Sequence, residues 1–453
     1  MSLSAEPTNP AETVELLQQL IRNACVNDGT PDSGGESTSA ALLQNYLEGP
    51  GIDVERLAGR PGRDSVVARI EGSDPTAPTL LLMGHTDVVP ANASRWRHDP
   101  FGGELIDGEV WGRGAVDMLN LTSSMAVATK TLARSGFRPR GTLIYLGVAD
   151  EEAMGTWGAD HLLTHEREHV MADYVLTESG GFPTQTASGI KLPVIVGEKG
   201  SFWCRLRIAG TPGHGSQPYR TDNALVTAAD IVSRLAAHRP ETMIHDTWVR
   251  FIQGLELGDE LTHGLTTADG FLDFCEVLPI GLARQAHACT HTTISPNVVH
   301  GGSKTNVIPD MVEVELDIRT LPGQRGDDIR AMLNDVLGEL AQRVEIVIIE
   351  DNEASASPLD TPLWDTLATV VDRWYPGAQT IPFLSVGGTD ARFYRREGSV
   401  AYGFGLHSPR ITFDQFSAMF HGDDERIDIE SLRLSTEMFE VVAREILAAP
   451  ATQ

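Results

Sequence analysis

The polarity pattern of this chain changes period along its length, and each change marks an element. Apolar residues recur at helical spacing over residues 11 to 25 (AETVELLQQLIRNAC) and again over 38 to 48, which predicts two amphipathic helices. SVVARIEG (65 to 72) reads as a strand and PTLLLMG (78 to 84) as a buried one. LTSSMAVATKTLARSG (121 to 136) is expected to be a helix closed by Gly136. GTLIYLGVADEE (141 to 152) is a further buried strand ending in acids, and ADYVLTESGG (172 to 181) repeats that pattern. Strands alternating with helices predict an α/β sheet. Three of the strands run out into polar groups: His85 and Asp87, Glu151 and Glu152, and Glu178. Ligands of open α/β sheets bind outside the carboxyl ends of strands, so three such ends point at one site.

Beyond residue 197 the texture changes. SFWCRLRIAG (201 to 210) and MVEVELDIRT (311 to 320) alternate with period two, as half-exposed antiparallel strands do. DNALVTAADIVSRLAAH (222 to 238) and DDIRAMLNDVLGELAQ (327 to 342) read as helices, and VEIVIIE (344 to 350) as a strand. The expectation is an α+β, ferredoxin-like module inserted into the first domain. It gives three segments: 1–197, 198–352 and 353–453, with an enlarged stretch at about 240–300 inside the insert. SASPLDTPLWDTLATVVDRWYPG (355 to 377) resumes the α/β texture, and DIESLRLSTEMFEVVAREILA (428 to 448) is a closing amphipathic helix.

Charge narrows the partners. Sixty-three acidic residues against 35 lysines and arginines give a net −28 over 453 residues. Such a surface repels phosphate backbones and anionic headgroups, so neither nucleic acid nor membrane is expected as a partner. No apolar run approaches the length of a membrane span. The first residues, MSLSAEPTNPAETVELLQQL, lack a basic stretch followed by an apolar one, so no signal peptide is read there. The four cysteines form no C-x-x-C pair, and a reducing, cytoplasmic setting is expected. Asn92-Ala-Ser and Asn120-Leu-Thr are then chance matches to a glycosylation pattern.

Several stretches could carry chemistry, each with an ordinary alternative. His85-x-Asp87 could bind a metal or be a histidine satisfied by an aspartate. Asp117, in WGRGAVDMLN, could be a ligand or a helix N-cap. Glu151-Glu152 could be an exposed acid doublet. At a strand's end, however, adjacent side chains diverge, so one can hold a metal while the other faces substrate. Glu178 sits in TESGG, His214 in GTPGHGSQP and His421 in MFHGDDERI. HEREH at 165 to 169 matches the H-E-x-x-H zinc pattern. Its intervening charges argue for a solvated helix instead.

In their order, GHTDVVP, WGRGAVDM, DEE after a strand, TESGG, GTPGHGSQP and HG..DERI resemble one family. It is the two-zinc hydrolase family of aminoacylase, acetylornithine deacetylase, succinyl-diaminopimelate desuccinylase and glutamate carboxypeptidase. The resemblance runs from about residue 10 to 448. It implies a zinc-exopeptidase-like α/β catalytic domain with a mixed central sheet, interrupted by a lid that also makes a homodimer. It implies that His85, Asp117 and Glu178 hold one metal, and that Asp117, Glu152 and His421 hold a second. Two Zn2+ per subunit are expected, with Co2+ or Mn2+ as substitutes. Asp87 would hydrogen-bond the far nitrogen of His85. Glu151 would be the general base toward a water bridging the two ions. His214 would reach in from the lid, of its own chain or of the partner subunit, to stabilise the oxyanion. Arg319 in LDIRTLPG, Asn306 in KTNVIPD and Thr389 in GGTDARF match substrate-binding positions. Thr389 could equally cap a helix, Asn306 make a turn and Arg319 lie on the surface. Many relatives carry Lys-Gly after the bridging Asp-Met, where this chain has Leu119 and Asn120.

The expected activity is hydrolysis of the amide bond of N-acyl amino acids, because Glu at 178 is more usual in deacylating members than in peptidases. A dipeptidase or carboxypeptidase on the same metals is the alternative. A non-catalytic binding protein on this fold would be expected to have lost Glu151 or a ligand, and all are present.

Overall fold

This computed structural model describes residues 10–448. Part of the stretch read as lacking a leader, residues 1–9, lies outside the described residues. Among the described residues the main sheet has ten strands. Its path begins with Asp53–Arg60, Arg63–Ile70, Leu143–Val148 and Leu80–His85, and continues with Tyr174–Thr177, Val400–Gly403, Gly189–Glu198 and Ser355–Ala356. Gln379–Ser385 and Thr184–Thr186 also pair with Gly189–Glu198. The inner pairs are parallel and the first two pairs antiparallel, so the sheet is mixed.

Alternation within the inner strands explains their burial. Leu80 and Leu82 point into the core that holds the helix Leu119–Arg134. Leu81 and Met83 point into the opposite core, with Ala159, Leu162 and Leu163 of the helix Ala159–His165. A strand covered on both faces reads as a continuous apolar run, as it does here. The chain passes from Leu80–His85 to its neighbour Leu143–Val148 on one side, then returns to Tyr174–Thr177 on the other. The strand order therefore reverses around Leu80–His85, and a crevice opens at its carboxyl end.

The chain leaves this sheet after Glu198 and rejoins it at Ser355. Between them lies a four-stranded antiparallel sheet in the order Thr293–Gly301, Met311–Thr320, Gly200–Ala209, Val344–Asn352. Helices Ala224–Ala237 and Gly326–Leu337 bury Ile231, Leu235, Leu333 and Leu337 against it. Thr293–Gly301 was not foreseen, because its outer half is exposed and shows no apolar alternation.

The stretch expected to enlarge the lid behaves differently. Helices Asp246–Leu255, Asp259–Leu265, Phe271–Val277 and Ile280–Thr290 gather Trp248, Phe251, Ile252, Leu265 and Phe271. These side chains pack with Ile195, Ile381 and Phe383 of the main sheet. The segment thus extends the core of the large sheet. The HEREH stretch is broken at Glu166, where one helix ends and Arg167–Val170 begins. His165 and His169 therefore share no continuous helix, and His169 pairs with Glu55. Among the described residues, no helix is long and apolar enough to cross a membrane.

Candidate metal centre

Five segments deliver the polar cluster. Leu80–His85 ends on His85, and Asp87 follows two residues later. Gly84 lets the helix Leu119–Arg134 lie close: a Cβ there would stand 2.9 Å from the Thr122 Cα. Thr122 Oγ1 donates to the His85 carbonyl at 2.8 Å, fixing strand to helix beside the site. Asp117 stands at the entrance of that helix, with a cis peptide bond to Met118. Leu143–Val148 runs into a turn in which Asp150 adopts a left-handed backbone (φ 70°), setting Glu151 and Glu152 over the strand ends. Glu178 follows Tyr174–Thr177 directly, and His421 follows the helix Phe413–Met419 with φ 55°.

These segments converge. His85 Nε2 lies 3.2 Å from Asp117 Oδ1, and His421 Nε2 lies 3.0 Å from Asp117 Oδ2. Asp117 thus stands between two imidazoles, one per carboxylate oxygen. His421 Nε2 is also 3.2 Å from Glu152 Oε2. Ligand atoms of His85, Asp117 and Glu152 lie within 4.8 Å of one another, and so do those of His85, Glu151 and Glu178.

Burial and crowding set the charges. Burial, and then the charge of Glu178, push Glu151 well above the usual carboxylate range. Glu178 is raised likewise by burial and by Asp117, and Glu152 is raised by the same two causes. Burial opposes ionisation of Asp117, but hydrogen bonds from His421 and His85 outweigh it and hold its pKa low. Hydrogen bonds to Asp117 and Glu152 push His421 up to about 10. Burial works against a charged His85, yet the surrounding acids hold it well above its ordinary value. The cluster demands positive charge at its centre, and among the described residues the buried Glu152 Oε1 has no hydrogen-bond partner. Carboxylate and imidazole donors without a thiol suit zinc, cobalt or manganese. The residues present therefore fit a pair of divalent ions.

Asp87 does more than was expected of it. The nearest acceptor for His85 Nδ1 is the backbone carbonyl of Asp87, at 2.9 Å, while its carboxylate stands at 3.7 Å. That carboxylate instead accepts the backbone N–H groups of Glu151 (3.3 Å) and Glu152 (3.1 Å) and the amide of Asn27 (2.9 Å). The main chain of Asp87 thus orients His85, and its side chain holds the acid doublet. Behind it, Arg63 pairs with Glu36 at 2.6 Å and lies 3.5 Å from Asp150, all buried. This charged layer left no sequence signal, since each member stands alone in its segment.

A cleft opens over the cluster, lined by Glu151, Glu178, Lys199, Trp203, Arg319 and Arg392 among others. Arg319 enters it from the four-stranded sheet, held by Asp317 at 2.7 Å, with its guanidinium 5.4 Å from the Trp203 ring centre. Thr389 is placed otherwise: its hydroxyl and N–H both donate to Glu198, at 2.6 and 2.9 Å, and it is not among the cleft residues. Its neighbour Asp390, in the same GGTDARF stretch, is buried, its carboxylate has no hydrogen-bond partner among the described residues, and burial pushes it up to about 7. His214, paired in the ribbon Gly213–His214 against Val307–Ile308, and Asn306, the residue before that second strand, are both exposed and are not among the cleft residues. His214 Nδ1 accepts from Ser216.

The sequence profile of peptidase family M20/M25/M40 matches residues 81–445. The chain belongs to this family. As an M20 protein it is a metal-dependent hydrolase. It is 27% identical to a succinyl-diaminopimelate desuccinylase of Cereibacter sphaeroides, over 93% of this chain and 96% of the relative. It is also 27% identical to the N-fatty-acyl-amino acid synthase/hydrolase PM20D1 of Xenopus tropicalis, over 83% and 74% of the two chains. The M20 family metallo-carboxypeptidase Sso-CP2 of Sulfolobus solfataricus shares the fold, with a TM-score of 0.72 at 18% identity, covering 96% of this chain and 99% of its own.

Proposed function

We propose that this M20 hydrolase cleaves the amide bond of N-acyl amino acids. The supporting observation is the pairing of the buried cluster with Arg319: a cation site at the floor of a cleft whose wall carries a guanidinium stacked on Trp203. Arg319 suits the free carboxylate of an amino acid. His85, Asp117 and Glu178 would hold one zinc ion, and Asp117, Glu152 and His421 the other, Asp117 contributing to both. Such ions acidify a water and polarise the amide carbonyl. Glu151 takes the proton of the attacking water and hands it to the departing amine. Asp87 keeps Glu151 and Glu152 in register through their backbone N–H groups.

His214 and Asn306 act across a homodimer, on the partner subunit's cleft. Their exposed place together at that ribbon supports this. We also divide the chain into catalytic segments 1–197 and 353–453 and an insert, 198–352, in line with where it leaves and rejoins the main sheet. Four free cysteines, three of them buried, support a reducing, cytoplasmic setting.

Glutamate at 178 and the two relatives named for N-acyl substrates favour deacylation, while the carboxypeptidase of the same fold keeps dipeptides as the second reading. The test is turnover of N-acetyl and N-succinyl amino acids beside dipeptides by zinc-loaded protein. The acylated half should be hydrolysed faster. A strong preference for dipeptides would sink the deacylase reading and leave the peptidase one.

A further inference from the structure

Three consecutive acids follow His421 closely, and each meets a different arginine. Asp423 pairs with Arg95 at 2.7 Å, Asp424 with Arg97 at 2.8 Å, and Glu425 with Arg113. In the first two pairs the arginines are exposed, so solvent and salt screen them and they add little. The third pair is buried on both sides.

Glu425 commits all its acceptors to one loop. One carboxylate oxygen accepts from Arg113. The other accepts the N–H of Gly114 at 2.7 Å and faces that of Val116 at 3.5 Å. Its backbone carbonyl accepts the N–H of Gly112 at 3.0 Å. Arg113 also donates to the Pro90 carbonyl at 3.3 Å and lies over the Trp96 ring. The strand Arg426–Asp428 then pairs with Glu109–Trp111. The loop so gripped leads into Asp117, and the gripping residue stands four positions after His421. Burial does not place His421, because its side chain is 51% exposed against 4% for Asp117. The clasp is what the structure offers in place of burial.

We infer that the Glu425–Arg113 pair is a positioning device that sets the spacing of Asp117 and His421, and with it the affinity of one of the two metal sites. The site most affected is that of Asp117, Glu152 and His421, since His421 belongs to it alone; the other site shares Asp117, but its His85 and Glu178 stand at strand ends of the main sheet. The inference rests on the two-metal reading above. An isosteric Glu425→Gln keeps an acceptor for Gly114 but removes the charge that holds Arg113.

The experiment is a zinc titration of metal-free protein by calorimetry with a competing chelator, beside a thermal melt of the same metal-free protein. Wild type should take up two equivalents. In Glu425→Gln one equivalent should weaken by about 10–100-fold, and the other, which shares Asp117 but not His421, by clearly less. Arg113→Lys, which keeps the charge and loses the fork, should show the same selective loss and serves if the first variant does not fold. Asp423→Asn should leave both equivalents unchanged. Two unaltered equivalents in Glu425→Gln and Arg113→Lys would overturn the inference. So would equal weakening of both together with a lower melting temperature, which is what a merely structural pair would give. Fewer than two equivalents in wild type would overturn the two-metal reading instead.

Discussion

Glu151 and Glu152 are adjacent and chemically identical, yet their surroundings divide them. Both line the cleft and group with His85, but Glu152 also reaches His421 and Asp117, whereas Glu151 groups with Glu178. Glu151→Gln is expected to keep both metal ions and lose about 10²–10⁴-fold in kcat, the usual worth of a general base. Metal analysis of the purified variant checks it: loss of an ion would mean that the two glutamates have exchanged roles. Most of the cluster is legible in the sequence because short motifs carry it, each a strand end or a glycine-flanked turn. The burial of Asp390 escaped because GGTDARF carries no apolar pattern that would mark it as an inward position. Lys199 and Trp203 escaped because a period-two strand pattern gives no sign of which residues overhang a cleft. The cause of His85's orientation escaped because a backbone carbonyl has no sequence signature.

Elements bring the residues together through close approach. Gly84 has no room for a side chain, since a Cβ would run into the Thr122 Oγ1 and stand 2.9 Å from the Thr122 Cα. Gly84→Ala should destabilise the protein by about 1–3 kcal/mol and weaken zinc binding through His85, as read from a urea titration and a metal titration. The buried strand was predictable from its apolar run. The helical segment 246–290 was not assignable to a layer, because amphipathic spacing shows that a face is buried but not against what.

A second prediction at this scale concerns pH. His407 is fully buried and stacked on Phe182, ring centres 4.0 Å apart. Among the described residues neither ring nitrogen has a hydrogen-bond partner, and burial lowers its pKa to about 4. Its folded pKa lies below its unfolded value, so the unfolded chain binds more protons between them. Stability from this group is therefore present above the unfolded pKa and falls as pH drops through that window, by about 2 kcal/mol between pH 7 and pH 5. His407→Leu should lose that much less over the same interval, measured by urea unfolding at both pH values. An equal loss in the two proteins would remove His407 from the acid response.

At the scale of the whole molecule, the four-stranded sheet sends Arg319 into the cleft of its own chain while His214 and Asn306 stay outside it. The account therefore expects a shared active site. Glu151→Gln and His214→Ala should each be nearly inactive alone. Co-expressed, they should recover about a quarter of wild-type activity, since half of the dimers are mixed and each mixed dimer has one intact site. No recovery would place His214 in its own chain's site or in none. The α/β class, the inserted second sheet and the closing helix Ile429–Ala448 were readable from periodicity alone. The strand order, which reverses at Leu80–His85 and so opens the crevice, depends on pairings far apart in sequence and was not.

The central claim is that two ions held by this cluster make the chain an amidohydrolase. The most direct measurement is turnover of an N-acetyl amino acid by metal-free protein as zinc is added stepwise. The account expects no turnover without metal and a rise that saturates at two equivalents per chain. Turnover by metal-free protein, or none at any zinc level on either N-acyl amino acids or dipeptides, would contradict it.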